Sequence, residues 1–137
     1  MKKSNNVPQE SSMFQELEVF ENKRINKDID SVYQLLESNF GSLEDKICVC
    51  GSVAKVMHGT LAEDYKPKDV DLLIKDRFFF RFLERNIQQL NVDYRIEANR
   101  IILFFPNIVV ELWKHNEAEQ VTRTTGFFKH KIKYSFE

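Results

Sequence analysis

Glycine and proline are scarce in this sequence, at four and three of 137 residues. So few chain breakers leave no linker-like tract to divide domains, and no internal repeat is visible. The expectation is one folded unit over residues 12–137, preceded by a flexible polar terminus over 1–11. Cysteine is nearly absent as well: Cys48 and Cys50 are the only two. They stand two apart in KICVCGS and so face one way on a strand. A disulfide between them would be strained, and no second pair exists to build a zinc site. Small core thiols in a reducing cytoplasm are the reading. The histidines at 58, 115 and 130 show no ligand spacing. Net charge is −1, so nothing global demands nucleic acid, an anionic membrane or an acidic ligand. No apolar run approaches the roughly 20 residues that span a bilayer, so no membrane partner is expected. The opening MKKSNNVPQESS is basic, but no hydrophobic segment follows it as a secretory signal would require.

What the chain does hold is 42% hydrophobic residues, enough to fill one core, in clear periodic patterns. Ser12 with Gln15 resembles a capping box. Behind it, Phe14, Leu17, Phe20, Ile25, Ile29, Val32, Leu35, Leu36 and Phe40 recur at three- and four-residue steps. That spacing predicts an amphipathic helical segment ending near Gly41, either one long helix or two with a break within Asn26–Asp30. Lys46–Cys50 reads as a buried strand, followed by a short helix from Gly51 to His58 that Gly59 stops. Residues 60–68 are polar and hold Pro67, which predicts a loop. Asp69–Lys75 is a second strand. Asp76 caps a helix from Arg77 to about Leu90, with Phe79, Phe82, Leu83, Ile87 and Leu90 on one face. In VDYRIEA, Val92, Tyr94, Ile96 and Ala98 alternate with polar residues as in a half-buried strand. RIILFF and IVVELW form a hairpin across Pro106-Asn107. The structure of the tail beyond His115 is left open. This order predicts an α/β domain, a mixed β-sheet flanked by helices.

The chemistry gathers in GSVAKVMHGTLAEDYKPKDVDLLI. On a strand, Asp69 and Asp71 project to one face with their bases about 7 Å apart. Two carboxylates that close do not both ionise cheaply in a cleft, and a hard divalent cation such as Mg²⁺ relieves the conflict. A strand end emerging into solvent carries the same pair at little cost. Gly51-Ser52 lies where a strand hands over to a helix; a glycine there admits close approach to the backbone, and helix N–H groups with the serine hydroxyl make an anion pocket. Plain turns also look like this, and no Walker A loop is present. Glu111 shares a face with Val109 and Trp113 in NIVVELWK, and an acid in so apolar a strand calls for a partner. That partner is a metal, a salt bridge to Arg100 across the hairpin, or solvent at an edge.

Together, Gly51-Ser52, Asp69-x-Asp71 opening an apolar strand, and an acid inside a later strand resemble the nucleotidyltransferase superfamily that includes DNA polymerase β. GSVA with His58-Gly59 and KDVDLLI is most similar to the bacterial minimal and toxin–antitoxin-type domains. The likeness covers about residues 46–114, half of the chain. It implies a nucleotidyltransferase-like fold in which Gly51 and Ser52 contact the phosphates of a nucleoside triphosphate. It implies that Asp69, Asp71 and Glu111 hold two Mg²⁺ ions, or Mn²⁺, and serve catalysis; Asp93 is an alternative third acid. The implied reaction is in-line attack by an acceptor hydroxyl of a protein, an RNA or a small molecule on the α-phosphorus, releasing pyrophosphate. Many relatives carry an arginine after the Gly-Ser or before the acids. Here those regions hold Val53 and Lys55, then Lys66 and Lys68; the lysines bring charge to a triphosphate without arginine's bidentate fork. The rival expectation is an inactive binding module, such as the antitoxin-type partner of a helical toxin. For the transferase reading, a second subunit (a homodimer) or another protein is expected to provide the acceptor surface. RNA binding by the basic, aromatic tail (Phe127, Phe128, Lys129, Lys131, Lys133, Tyr134) is a third expectation.

Overall fold

The computed structural model describes residues 19–114, 122–127 and 130–135. Helix α1 (Lys23–Phe40) begins at Asn22, whose side-chain oxygen accepts from the Arg24 and Ile25 amides, and ends at Gly41, where φ is 85°. From Lys23 it is continuous, without the break that the two-helix alternative put at Asn26–Asp30, and residues 19–22 of the helical pattern lie before it as bend and coil. Asn26 is instead turned inward, fully buried, and binds Phe20 twice. Its Nδ2 donates to the Phe20 carbonyl at 2.7 Å and its Oδ1 accepts from the Phe20 amide at 2.9 Å. A polar residue on the apolar stripe thus pins the preceding segment, and Phe20 itself is buried. The Ser12–Gln15 capping box lies outside the described residues. Asn26→Ala would leave both Phe20 backbone groups unpaired in the core, so a loss of about 2 kcal/mol is expected in denaturant unfolding.

Strand β1 (Ile47–Cys50) leads into α2 (Gly51–His58), which Gly59 ends in the left-handed region as the sequence indicates. A loop then reaches β2 (Asp69–Ile74), and α3 (Arg77–Asn86) starts at Asp76, whose carboxylate accepts from the Phe78 amide. The α-helix stops earlier than expected: Ile87–Leu90 is a 3₁₀ turn, although Ile87 and Leu90 stay buried. Its core face also differs. Phe80 is buried, whereas Phe82 is 45% exposed and stands edge-on to Phe40. Strands β3 (Asp93–Ile96), β4 (Arg100–Phe104) and β5 (Val109–Lys114) follow, with the β4–β5 turn at Pro106-Asn107. The tail contributes two more strands, β6 (Thr122–Phe127) and β7 (His130–Ser135).

All seven lie in one mixed sheet, in the order β3-β4-β5-β2-β1-β7-β6. At its centre β2 pairs antiparallel with β1 and parallel with β5, while β7 joins β1 in parallel. Alternation then sorts the strand residues. Ile47, Val49, Val70, Leu72, Ile74, Ile101, Leu103, Val110 and Leu112 join one buried cluster with residues of all three helices, including Leu36, Val53, Phe80 and Leu83. The α/β class and mixed sheet expected from the sequence are therefore present. The opposite face carries Cys48, Cys50, Asp69, Asp71, Glu111 and Trp113. β3 corrects the expectation of a half-buried strand: all four of its residues are exposed. Among the described residues it pairs only with β4, at the sheet edge, and its apolar Tyr94 and Ile96 are exposed. No helix of the described residues is long and apolar enough to cross a membrane.

Candidate metal centre

The parallel pairing of β2 with β5 sets Asp71 beside Glu111 in register, with Asp69 two residues earlier on the same face. Asp69, Asp71 and Glu111 each turn one carboxylate oxygen inward, and these atoms lie within 4.8 Å of one another. All three side chains are half-buried. Burial raises the pKa of Asp71 above the usual carboxylate range; the charge on Asp69 adds to this, against the Trp113 hydrogen bond and Arg100, which lower it. Burial likewise raises Glu111, with Asp71 and Asp69 adding repulsion and Arg100 opposing it. Three hard oxygen donors at this spacing, destabilised by each other's charge, fit a divalent cation of the Mg²⁺ type. The group can hold a metal ion. Asp93, the alternative third acid, is exposed on the edge strand β3.

Gly51 adjoins the trio through its lack of a side chain. Its φ is +67°, and a Cβ built there would overlap the Asp71 carboxylate. The close approach that the sequence assigned to a ligand is thus made by the protein's own acid. α2 opens without a side-chain cap from Cys50, so no side chain of its N-cap residue satisfies the first-turn amides. Ser52 is half-buried in that first turn. Cys50 pairs in register with Asp71, and its Sγ lies 3.5 Å from the Asp71 carbonyl oxygen. Burial first, then the Asp71 charge, pushes the Cys50 thiol up to about 12, so it stays protonated and inert.

The cation that reaches the trio is Arg100. Its Nη1 donates to Glu111 Oε1 at 2.6 Å, its Nε donates to Glu97 Oε1 at 2.7 Å, and its guanidinium lies 5.1 Å from the Trp113 ring centre. Trp113 in turn donates its indole N–H to Asp71 Oδ1 at 3.2 Å. The salt bridge weighed for Glu111 and its place in the acid trio are therefore both realised. The lysines named from the sequence are surface residues. Lys55 is exposed on α2 and Lys68 is exposed before β2, while Lys66 lines a hollow with Glu21, Asn22 and Asp64. Sequence reasoning named Arg100 only as a mundane partner of Glu111 and gave Trp113 no role. The signal for both was the hairpin register, which sets Arg100 opposite Trp113. In the tail, Tyr134 belongs to the core and Lys133 pairs with Asp45 at 2.9 Å. The side chains of Phe127, Phe128, Lys129 and Lys131 lie outside the described residues. No family model, curated protein or solved structure matches this chain.

Proposed function

We propose that this domain is a Mg²⁺-dependent nucleotidyltransferase with a nucleotidyltransferase-like fold, moving a nucleoside monophosphate from a triphosphate to an acceptor hydroxyl. The observation that carries the reading is the convergence of Asp69, Asp71 and Glu111 within 4.8 Å on one sheet face. Their neighbour is the uncapped first turn of α2. Mg²⁺, when bound, supplies a lowered pKa for the attacking hydroxyl and neutralises charge on the leaving oxygens. The chain's own residues do the positioning. The three carboxylates fix where the cation charge sits. The α2 amides and the Ser52 hydroxyl donate to phosphate oxygens, favoured by the positive end of the helix. Lys55 and Lys68 raise the local positive potential along the approach. The acceptor hydroxyl gives up its proton to solvent, its oxygen forms a bond to the α-phosphorus as the bond to the bridging oxygen breaks, and pyrophosphate leaves. Such a transfer rests on alignment and electrostatics, which this small set of groups can provide.

The test is incubation with Mg²⁺ and each α-labelled nucleoside triphosphate in turn, against protein, RNA and small-alcohol acceptors. Label should move to an acceptor and stop moving when the cation is chelated. No transfer from any of the four triphosphates would sink the reading. A second reading, a binding module without turnover that docks a helical partner, is favoured by the Arg100 clamp on Glu111, which already neutralises one acid. Calorimetry separates the two: an enzyme takes up Mn²⁺ with a non-hydrolysable triphosphate, and a module that has lost the site takes up neither.

A further inference from the structure

Arg100 stands at the start of β4 with three attachments: Glu111, Glu97 and the face of Trp113. Only one of them belongs to the metal centre. The side chain of Glu111 is 13% exposed and its Oε1 is taken up by the guanidinium, whereas Glu97 is 36% exposed in the β3–β4 turn. A divalent ion among the acids and a guanidinium on Glu111 draw on the same negative charge and repel each other. Arg100 can leave Glu111 and still be held, because Glu97 and the indole face keep it at the rim of the site. The sequence offers no arginine in Gly51–Lys55 or in the loop before Asp69, where a triphosphate would need a bidentate donor.

Resting on the metal-dependent reading above, we propose that Arg100 is a resident counter-cation. It occupies Glu111 when no divalent ion is present, then yields that carboxylate and turns its released donors onto a phosphate of the bound triphosphate. Three consequences follow from one ion-pair chain. Removing Arg100 removes the competitor, so bare cation affinity rises while affinity for a metal–polyphosphate complex falls. Neutralising Glu97, which Arg95 shares at 3.0 Å, leaves both guanidiniums uncompensated, so the hold of Arg100 on Glu111 tightens and bare cation affinity falls. A lysine at 100 keeps the charge without the fork.

The test is calorimetry of the full chain with Mn²⁺ alone and with the Mn²⁺ complex of tripolyphosphate. Fluorescence of Trp113, the single tryptophan, serves as a parallel readout through its bond to Asp71. Arg100→Gln should bind Mn²⁺ on the order of fivefold more tightly and the tripolyphosphate complex at least about fivefold more weakly. Glu97→Gln should bind Mn²⁺ about twofold more weakly, and Arg100→Lys should match wild type for Mn²⁺ while losing tripolyphosphate affinity. A merely structural role would shift Arg100→Gln and Glu97→Gln in the same direction for Mn²⁺, which overturns the proposal. So does unchanged Mn²⁺ affinity in Arg100→Gln when the wild type binds the ion. Wild-type protein that takes up no Mn²⁺ would overturn the metal-dependent reading itself. The Glu97 variant lies in a turn outside the core, so its result stands even where Arg100→Gln melts too early to titrate.

Discussion

Gly51→Ala is expected to cost about 2 kcal/mol of stability and at least tenfold in Mn²⁺ affinity, through two separate physical causes. The first is backbone: φ at Gly51 is +67°, where an L side chain is strained by about 1–2 kcal/mol. The second is contact. The added methyl would overlap the carboxylate of Asp71, which is held between Gly51 and the Trp113 indole. The cheapest relief is rotation of Asp71 about its own side-chain bonds, since the colliding atom is the far end of that side chain. Rotation breaks the hydrogen bond to Trp113 and swings one of the three metal-facing oxygens away. The two causes can be told apart by measurement. A thermal melt reports the backbone strain, and Mn²⁺ titration reports the displaced acid. If Gly51→Ala loses stability but keeps its Mn²⁺ affinity within twofold, Asp71 has found another rotamer that still faces the site, and the steric account of Gly51 is wrong.

How much of this site could be read from the chain depended on whether its parts were local. The β2 acids, the strand-to-helix handover at Gly51 and the Gly59 stop are set by neighbours in sequence, and periodicity with turn chemistry finds them. The pairing of Asp71 with Glu111 is not local: it depends on β2 and β5 lying parallel and in register across 40 residues. Alternation gave Glu111 the right face of its own strand, but only the sheet order brings that face to the acids. Phe82 and Phe80 show a different limit. Both fit a helical stripe, and which one is buried depends on where α3 meets the sheet and α1. β3 reads as half-buried because Tyr94 and Ile96 alternate with charges, yet at the sheet edge no layer of the described residues covers them. The tail strands were legible in principle, since Ile132 and Tyr134 alternate with lysines. Their position beside β1 follows only from the parallel pairing of Val49 with Tyr134.

Asp71→Asn should abolish triphosphate-dependent labelling, by about a thousandfold or more, and yet raise the melting temperature of the metal-free protein. The loss follows from the donor set: an amide has no charge to hold a hard dication, and the trio is reduced to two acids. The gain follows from the same crowding seen without the ion. Burial and the neighbouring Asp69 raise the folded-state pKa of Asp71, so at neutral pH its charge is held at a cost that the unfolded chain does not bear. Asparagine keeps the shape, and its oxygen can still accept from the Trp113 indole. Relief of that crowding shows as a higher melting temperature of the metal-free protein. The pH dependence carries the sign. Between the ordinary carboxylate pKa of the unfolded chain and the higher folded values of Asp71 and Glu111, the native state holds more protons than the unfolded one. Metal-free stability from these groups is therefore full below that window and is lost as pH rises through the folded values. The groups facing this window are Asp69 and Asp71 on β2, Glu111 and Trp113 on β5, Arg100 on β4 and the protonated Cys50 on β1. Asp71→Asn removes its own share of the slope and eases that of Glu111, for which the Asp71 charge is one cause of the rise. Saturating Mn²⁺ should reverse the ranking, stabilising wild type and leaving the variant unmoved. Melts from pH 4 to 8, with and without Mn²⁺, read all of this; a metal-free variant that melts below wild type at neutral pH would show that the carboxylate is not under electrostatic strain.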